Sequence, residues 1–288
     1  MIVRAALCPS PPLLASGVSG LTPVIPELRE ACEAAVAWLL AAAPDEVTVV
    51  GPAAVTATWP PDSAPDLAMH APALNRGAPT LPFAPPLPPA PALPLALSIG
   101  AQLLDAAGYL GPRVLQSVAE SATPEDCRQL GLDLAADAPL TALLVLGDGS
   151  ARRSAAAPGY LDERAEPFDL SVEQALRDGD LDALAALDPG LARDLLAAGR
   201  PAWQVLAGAL TPGGALTPGG ALTPGGATAP ATTSLAGAVP APLTPPPPTP
   251  PTPPTPPPPT RPRTRILYSA APLGVAYLVA TLDPAAPK

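Results

Sequence analysis

"PELREACEAAVAWLLAAAPDEVTVVGP", residues 26–52, decides the fold. Pro26 suits the first helical position, where its missing N–H is no loss, and the acids that follow favour the positive end of a helix. Leu28, Cys32, Ala35 and Leu39 recur at three- and four-residue spacing, which predicts one core-facing stripe. Pro44 ends the pattern, and "EVTVVGP" reads as a strand. Upstream, "IVRAAL" at residues 2–7 is an earlier strand, closed by the prolines of "CPSPPLL". Strand, helix, strand in that order is a βαβ unit and implies a parallel pair.

From Thr56 to Pro94 twelve prolines forbid regular structure, so none is expected there. Periodicity returns with "LALSIGAQLLDAAG", a helix capped by Gly108, and with the strand "RVLQSVA". "TPEDCRQLGLDLAAD" opens a helix with Thr123 at the N-cap, Pro124 after it and an acid three residues past the cap. The strand "LTALLVL" then runs into "GDGSARRS", residues 147–154. Four helical segments follow: "LDERAEPFDLSVEQALRDG", "DLDALAAL", "DPGLARDLLAAG" and "PAWQVLAGAL".

Three copies of "ALTPGG" (209–226) and a Thr/Pro tract (243–263) read as flexible coil and semi-rigid polyproline II spacer. "TRILYSA" and "GVAYLVATL" are two closing strands that need partners in the sheet. The expected architecture is therefore α/β: a single three-layer domain from residues 1–208 and 264–282, with a central mostly parallel sheet and helices on both faces. A disordered Pro/Gly-rich insertion, 209–263, interrupts it.

Composition narrows the function. A net charge of −10 and few aromatics exclude the basic, stacking face of a nucleic-acid binder, so no nucleic-acid partner is expected. Apolar runs such as residues 34–43 are too short to cross a bilayer, and the N-terminal run stops at Pro9 before a signal-peptide core could form. The expectation is a cytoplasmic protein without a membrane partner. Cys8, Cys32 and Cys127 form no Cys-x-x-Cys pair and read as small buried residues. Lys288 is the only lysine against fourteen arginines, a bias that accords with a GC-rich coding sequence.

The order of these elements, with "ALCPSPPLL", "GDGSARRS", "PGYLDERAEPFD" and "LYSAAPLGVAYLVATL", resembles the subunit-B-like family of class III extradiol ring-cleavage dioxygenases. The likeness runs from Ile2 to Leu282 with the insertion left out. In that family the first stretch reads as a Pro-His-x-Pro turn, the second as Gly-Asp-x-Ser-His-Arg and the last as a Gly-Val-Gly-Tyr strand. The resemblance implies an oxidoreductase in which two histidines and a carboxylate hold ferrous iron, with positions left open for a catechol-like ring and dioxygen. Here Ser10 stands at the first ligand position, Ala53 and Ala54 follow the second strand where a histidine would, and Ala151 replaces the proton-transferring histidine.

The chain also has one histidine, His70, so one subunit cannot supply a two-histidine set, and no Asp or Glu occurs from Leu195 through Leu282. The expectation is a catalytically degenerate member with no metal and no cofactor, whose vestigial pocket comprises Ser10, Ala53, Asp148, Ser150, Ala151 and Arg152. It would bind a small aromatic ligand or serve as one subunit of a complex. The alternatives are an active non-haem iron dioxygenase cleaving a catechol-like ring, and an interaction protein using its Pro-rich arm.

Individual residues carry two readings each. His70, in "DLAMHAPAL", is a solvated loop histidine or a remnant acid/base. Asp148 is a pocket carboxylate or one half of an Asp-Gly turn. Ser150 has no recognisable base and lies outside a Gly-x-Ser-x-Gly elbow, which argues against a nucleophile. Arg152 and Arg153 could hold an anion, or pair with Asp162 and Glu163. Trp38, Trp203 and Tyr277 are expected in the core.

Overall fold

Proline placement sets the first helix boundary as expected: the computed structural model starts α1 at Pro26 and ends it at Leu40. Residues 1–15, 25–60, 63, 93–136, 139–211 and 261–285 are described. The chain divides into one unit of Met1–Gly214 with Thr260–Lys288 and a second of Ala215–Pro259. His70, most of the Pro-rich segment around it and nearly all of the 209–263 insertion lie outside the described residues.

In order, the elements are β1 (Ile2–Cys8), a 3-10 turn (Pro12–Leu14), α1 (Pro26–Leu40), β2 (Glu46–Ala53), β3 (Ala57–Trp59), α2 (Leu95–Ala106), β4 (Arg113–Ala119) and α3 (Pro124–Ala136). There follow β5 (Thr141–Leu146), α4 (Ala165–Arg177), α5 (Leu181–Ala185), α6 (Pro189–Asp194), α7 (Arg200–Leu210), β6 (Arg263–Ala270) and β7 (Tyr277–Asp283). The seven strands form one sheet in the order β3-β4-β2-β5-β1-β7-β6. Its four central strands are parallel, while β3 on one flank pairs antiparallel with β4 and β7 on the other pairs antiparallel with both β1 and β6.

Alternation along the central strands feeds two apolar layers. Leu7, Leu143 and Val145 face the layer that holds α4 and α7; Cys8, Leu144 and Leu146 face the layer of α1 and α2. The stripe of α1 is buried as its spacing predicts: Leu28, Cys32, Ala35 and Leu39 are all fully inaccessible. At α3 the expected cap forms reciprocally, with the Asp126 N–H donating to Thr123 Oγ1 (3.1 Å) and the Thr123 N–H donating to the Asp126 carboxylate (3.2 Å).

Three expectations need correcting. The short strand β3 falls where no regular structure was expected. Its signal is not periodicity but polar anchoring to β4: Trp59 Nε1 donates to Ser117 Oγ (2.9 Å) and Thr58 Oγ1 to Gln116 Oε1 (2.7 Å). Trp38 is only half-buried, with the Arg4 guanidinium 4.4 Å from its ring centroid. The insertion is also shorter at both ends than its composition suggests, since α7 takes Ala209 and Leu210 and β6 takes Arg263.

The crossing of α3 and α7 depends on two glycines. A Cβ on Gly131 would lie 2.2 Å from the Val205 carbonyl oxygen, and one on Gly208 would lie 2.4 Å from that of Arg128. Helix propensity alone would make Gly131→Ala stabilising by about 1 kcal/mol. Backbone overlap opposes it, and overpacking of this kind costs about 1–3 kcal/mol. Gly131→Ala is therefore expected to lower the thermal midpoint followed by circular dichroism; a higher midpoint would contradict the close crossing.

Candidate functional site

The carboxyl ends of the parallel strands gather the residues singled out by sequence. Cys8 pairs with Leu146, so Ser10 and Asp148 each lie two residues beyond the last β1–β5 level. Val50 pairs with Val145, so Ala53 lies as far beyond the β2–β5 ladder as Asp148 does. Crevices beyond such strand ends are where open α/β sheets bind ligands. Within this region the Ser10 backbone N–H donates to Asp148 Oδ1 at 2.7 Å.

Burial dominates the Asp148 carboxyl and pushes its pKa up to about 6, against the opposing pull of the Ser10 hydrogen bond. Its neighbours are neutral acids. The Tyr277 hydroxyl is pushed up to about 12, first by burial and then by the Asp148 charge. The Cys32 thiol is raised well above its ordinary range by its hydrogen bond with Cys8, by burial, and in smaller part by Asp148. All three cysteines are buried free thiols, as expected. A carboxyl titrating near 6 exchanges its proton in mildly acidic solution, and among the described residues no imidazole stands beside it.

The remaining residues of "GDGSARRS" point elsewhere. Ser150 is fully buried: its N–H donates to Asp169 Oδ1 (2.8 Å) and its hydroxyl to Asp169 Oδ2 (2.6 Å). Arg153 reaches the same carboxylate (3.2 Å) and Glu166 (2.8 Å). Thus Arg153 pairs with α4 rather than with Asp162 or Glu163, and Asp162 is instead held by Arg164 (2.9 Å). Arg152 donates to the Gly159 carbonyl (2.6 Å), while its Nε is buried without a partner. Ala151 is tied by backbone hydrogen bonds to Leu195 and Gly159.

The structure therefore joins Ser10 to Asp148, sets Ala53 at the same sheet edge, and ties Ser150, Ala151 and Arg152 to α4, the α6–α7 connection and the 159 turn. Asp169 is the residue that sequence reading missed. It lies on the buried stripe of α4, four residues after Ala165 and three before Val172, so an acid on an apolar face was its available signal.

Two cavities adjoin this region. One, of about 200 Å³, is lined by Gly149, Arg153, Asp169, Trp203 and Tyr277 among others, and the Trp203 indole N–H is buried without a partner. The other, of about 450 Å³, lies at the carboxyl end of β4 against α6 and the start of α7. The donor set does not fit the iron that the resemblance implies: Ser10, Ala53 and Ala151 offer no imidazole, and Asp148 accepts from Ser10. Among the described residues no three His, Cys, Asp or Glu side chains converge as a metal site. No described helix is long and apolar enough to cross a membrane. The chain matches no known family model, and no curated protein matches it.

The folded Asp148 pKa lies above the ordinary carboxylate value, so the native state binds more protons between about pH 4 and pH 6, and stability from this group falls as pH rises through that window. The rise from the ordinary value to about 6 limits that loss to about 3 kcal/mol. The stability of Asp148→Asn relative to the parent, by urea denaturation, is expected to rise from pH 4 to pH 6 and then level; a pH-independent difference would count against a desolvated carboxyl. Asp169→Ala leaves the Ser150 donors without their acceptor and Arg153 with Glu166 alone, and should destabilise by about 3 kcal/mol. An unchanged urea midpoint for that variant would refute its anchoring role.

Proposed function

We propose that this chain is a catalytically degenerate relative of the class III extradiol dioxygenases, one that binds a small molecule and does not cleave it. The observation that carries the reading is the occupancy of the strand-end positions. The likeness needs imidazoles at Ser10, after β2 and at Ala151, and the single histidine of the chain could supply only one. The one carboxyl in the group is engaged by the Ser10 N–H, and burial disfavours its charged form. A carboxyl so placed is a weakened ligand for a cation, and neither serine nor alanine supplies the imidazole set of a facial triad.

The remaining frame supports binding. It keeps a sheet edge with two adjoining cavities, and the larger has a volume suited to a small organic ligand. We also place the protein in the cytoplasm, a reading supported by three buried thiols left unpaired as disulfides.

Anaerobic loading with ferrous iron, followed by metal analysis and an oxygen-dependent assay with catechol, tests this. Substoichiometric iron that washes out on desalting, with no ring-opened product by absorbance, is the expected result. One tightly held iron per chain together with catechol cleavage would overturn the proposal.

A further inference from the structure

Arg200 is 2 % exposed, and among the described residues it has no carboxylate partner. Its guanidinium is spent on neutral acceptors: Nη2 donates to the Glu120 carbonyl (2.6 Å), and Nη1 to the Ala122 carbonyl (2.7 Å) and Gln204 Oε1 (2.9 Å). A buried guanidinium cannot shed its proton at physiological pH, and taking it out of water without a counter-ion is costly. Burial opposes its charge, and so does the nearby Arg193. Both arginines line the 450 Å³ cavity, and among the described residues neither is ion-paired.

We infer that this cavity is a binding site for a small monocarboxylic acid with a compact apolar body, its carboxylate held between Arg193 and Arg200. The inference rests on reading the chain as a binding protein, and it names the ligand class and the place. Three further features favour it. The eleven-residue helix α7 begins at the cavity, with Arg200 and Pro201 in its wall, so the helix adds partial positive charge there. Glu120 also lies on the wall, leaving the lining with one net positive charge, which favours a single carboxylate over a multiply charged anion.

Leu196 supplies the third feature. It follows the last turn of α6 in the left-handed region (φ 56°), where the Ala197 N–H closes back on the Ala192 carbonyl at 2.8 Å. Glycine is the residue that such a helix end favours. Leucine accepts the strain and keeps an apolar side chain, 46 % exposed, on the cavity wall. Together with Ala197 and Pro201, that side chain offers a surface to the body of the acid.

Isothermal titration of the full chain with benzoate, isovalerate, benzamide and inorganic phosphate tests the site. Saturable one-to-one binding of benzoate or isovalerate is expected, with benzamide and phosphate at least tenfold weaker. Arg193→Gln should weaken carboxylate binding tenfold or more without moving the thermal midpoint. Leu196→Gly should weaken it several-fold while holding or raising the midpoint, so that loss of binding in this variant is not loss of fold. The proposal is overturned by absence of saturable binding, by equal binding of benzoate and benzamide, by tighter binding of phosphate, or by indifference to Arg193→Gln. These results concern the cavity alone, whereas ring cleavage by the iron-loaded protein would overturn the reading beneath it.

Discussion

The turn that leaves β5 must find partners for every backbone group it carries past the end of a parallel ladder, and the way it does so organises this molecule. The Gly147 N–H donates to the Cys8 carbonyl, and the Asp148 carbonyl accepts from Gly199 at the head of α7. The Gly149 N–H and the Ser150 carbonyl bond both ways with Ala276, and the Arg153 N–H reaches the Gly274 carbonyl. One short turn thus joins β1, α7 and the approach to β7. The approach at Gly147 leaves no room for a side chain, since a Cβ there would lie 2.4 Å from the Gly199 Cα. A string that looks like a catalytic loop is, in its contacts, the clasp that holds the late strands to the early ones.

This explains how the sheet tolerates a long insertion between α7 and β6. β7 pairs antiparallel with β1, the first strand of the chain, and among the described residues β6 pairs only with β7. A two-stranded hairpin is marginal alone. Here it gains Leu278, Ala280 and Leu282 in one apolar layer and Val279 in the other, together with the hydrogen bonds around Ala276. The contacts on either side of the insertion therefore determine the edge of the sheet.

How much was legible follows from what each signal depends on. The α1 stripe, the Thr123 cap and the buried strands were readable because their causes lie within a few residues: periodicity, a capping side chain, a proline. The direction of β7 was not, since a strand's residues do not state which neighbour it meets. β3 escaped because its anchors, Gln116 and Ser117, lie 58 residues away. Of the candidate site, the strand-end placement of Asp148 was legible from strand order, and Ser10 and Ala53 were singled out by the resemblance, but the role of Ser150 was not. Its partner Asp169 is on another element, and although an acid on an apolar helix face is visible in the sequence, which donors it meets is fixed only by packing.

Two buried ionisable groups flank the start of α7, and their chemistry separates them. Asp148 can answer desolvation by taking up a proton, and its raised pKa records that escape. Arg200 has no such escape, so the fold surrounds it with carbonyls, an amide oxygen and the Cys127 sulfur. Carbonyl dipoles satisfy hydrogen-bond geometry without neutralising charge, and an unneutralised cation beside a cavity attracts an anion more strongly than one in open water. The acid at the strand ends thus loses its charge as pH falls through about 6, while Arg200 stays charged throughout. That asymmetry leaves a fixed positive charge at the wall formed by the end of β4, α6 and the start of α7, whereas the charge at the ends of β1 and β5 depends on pH.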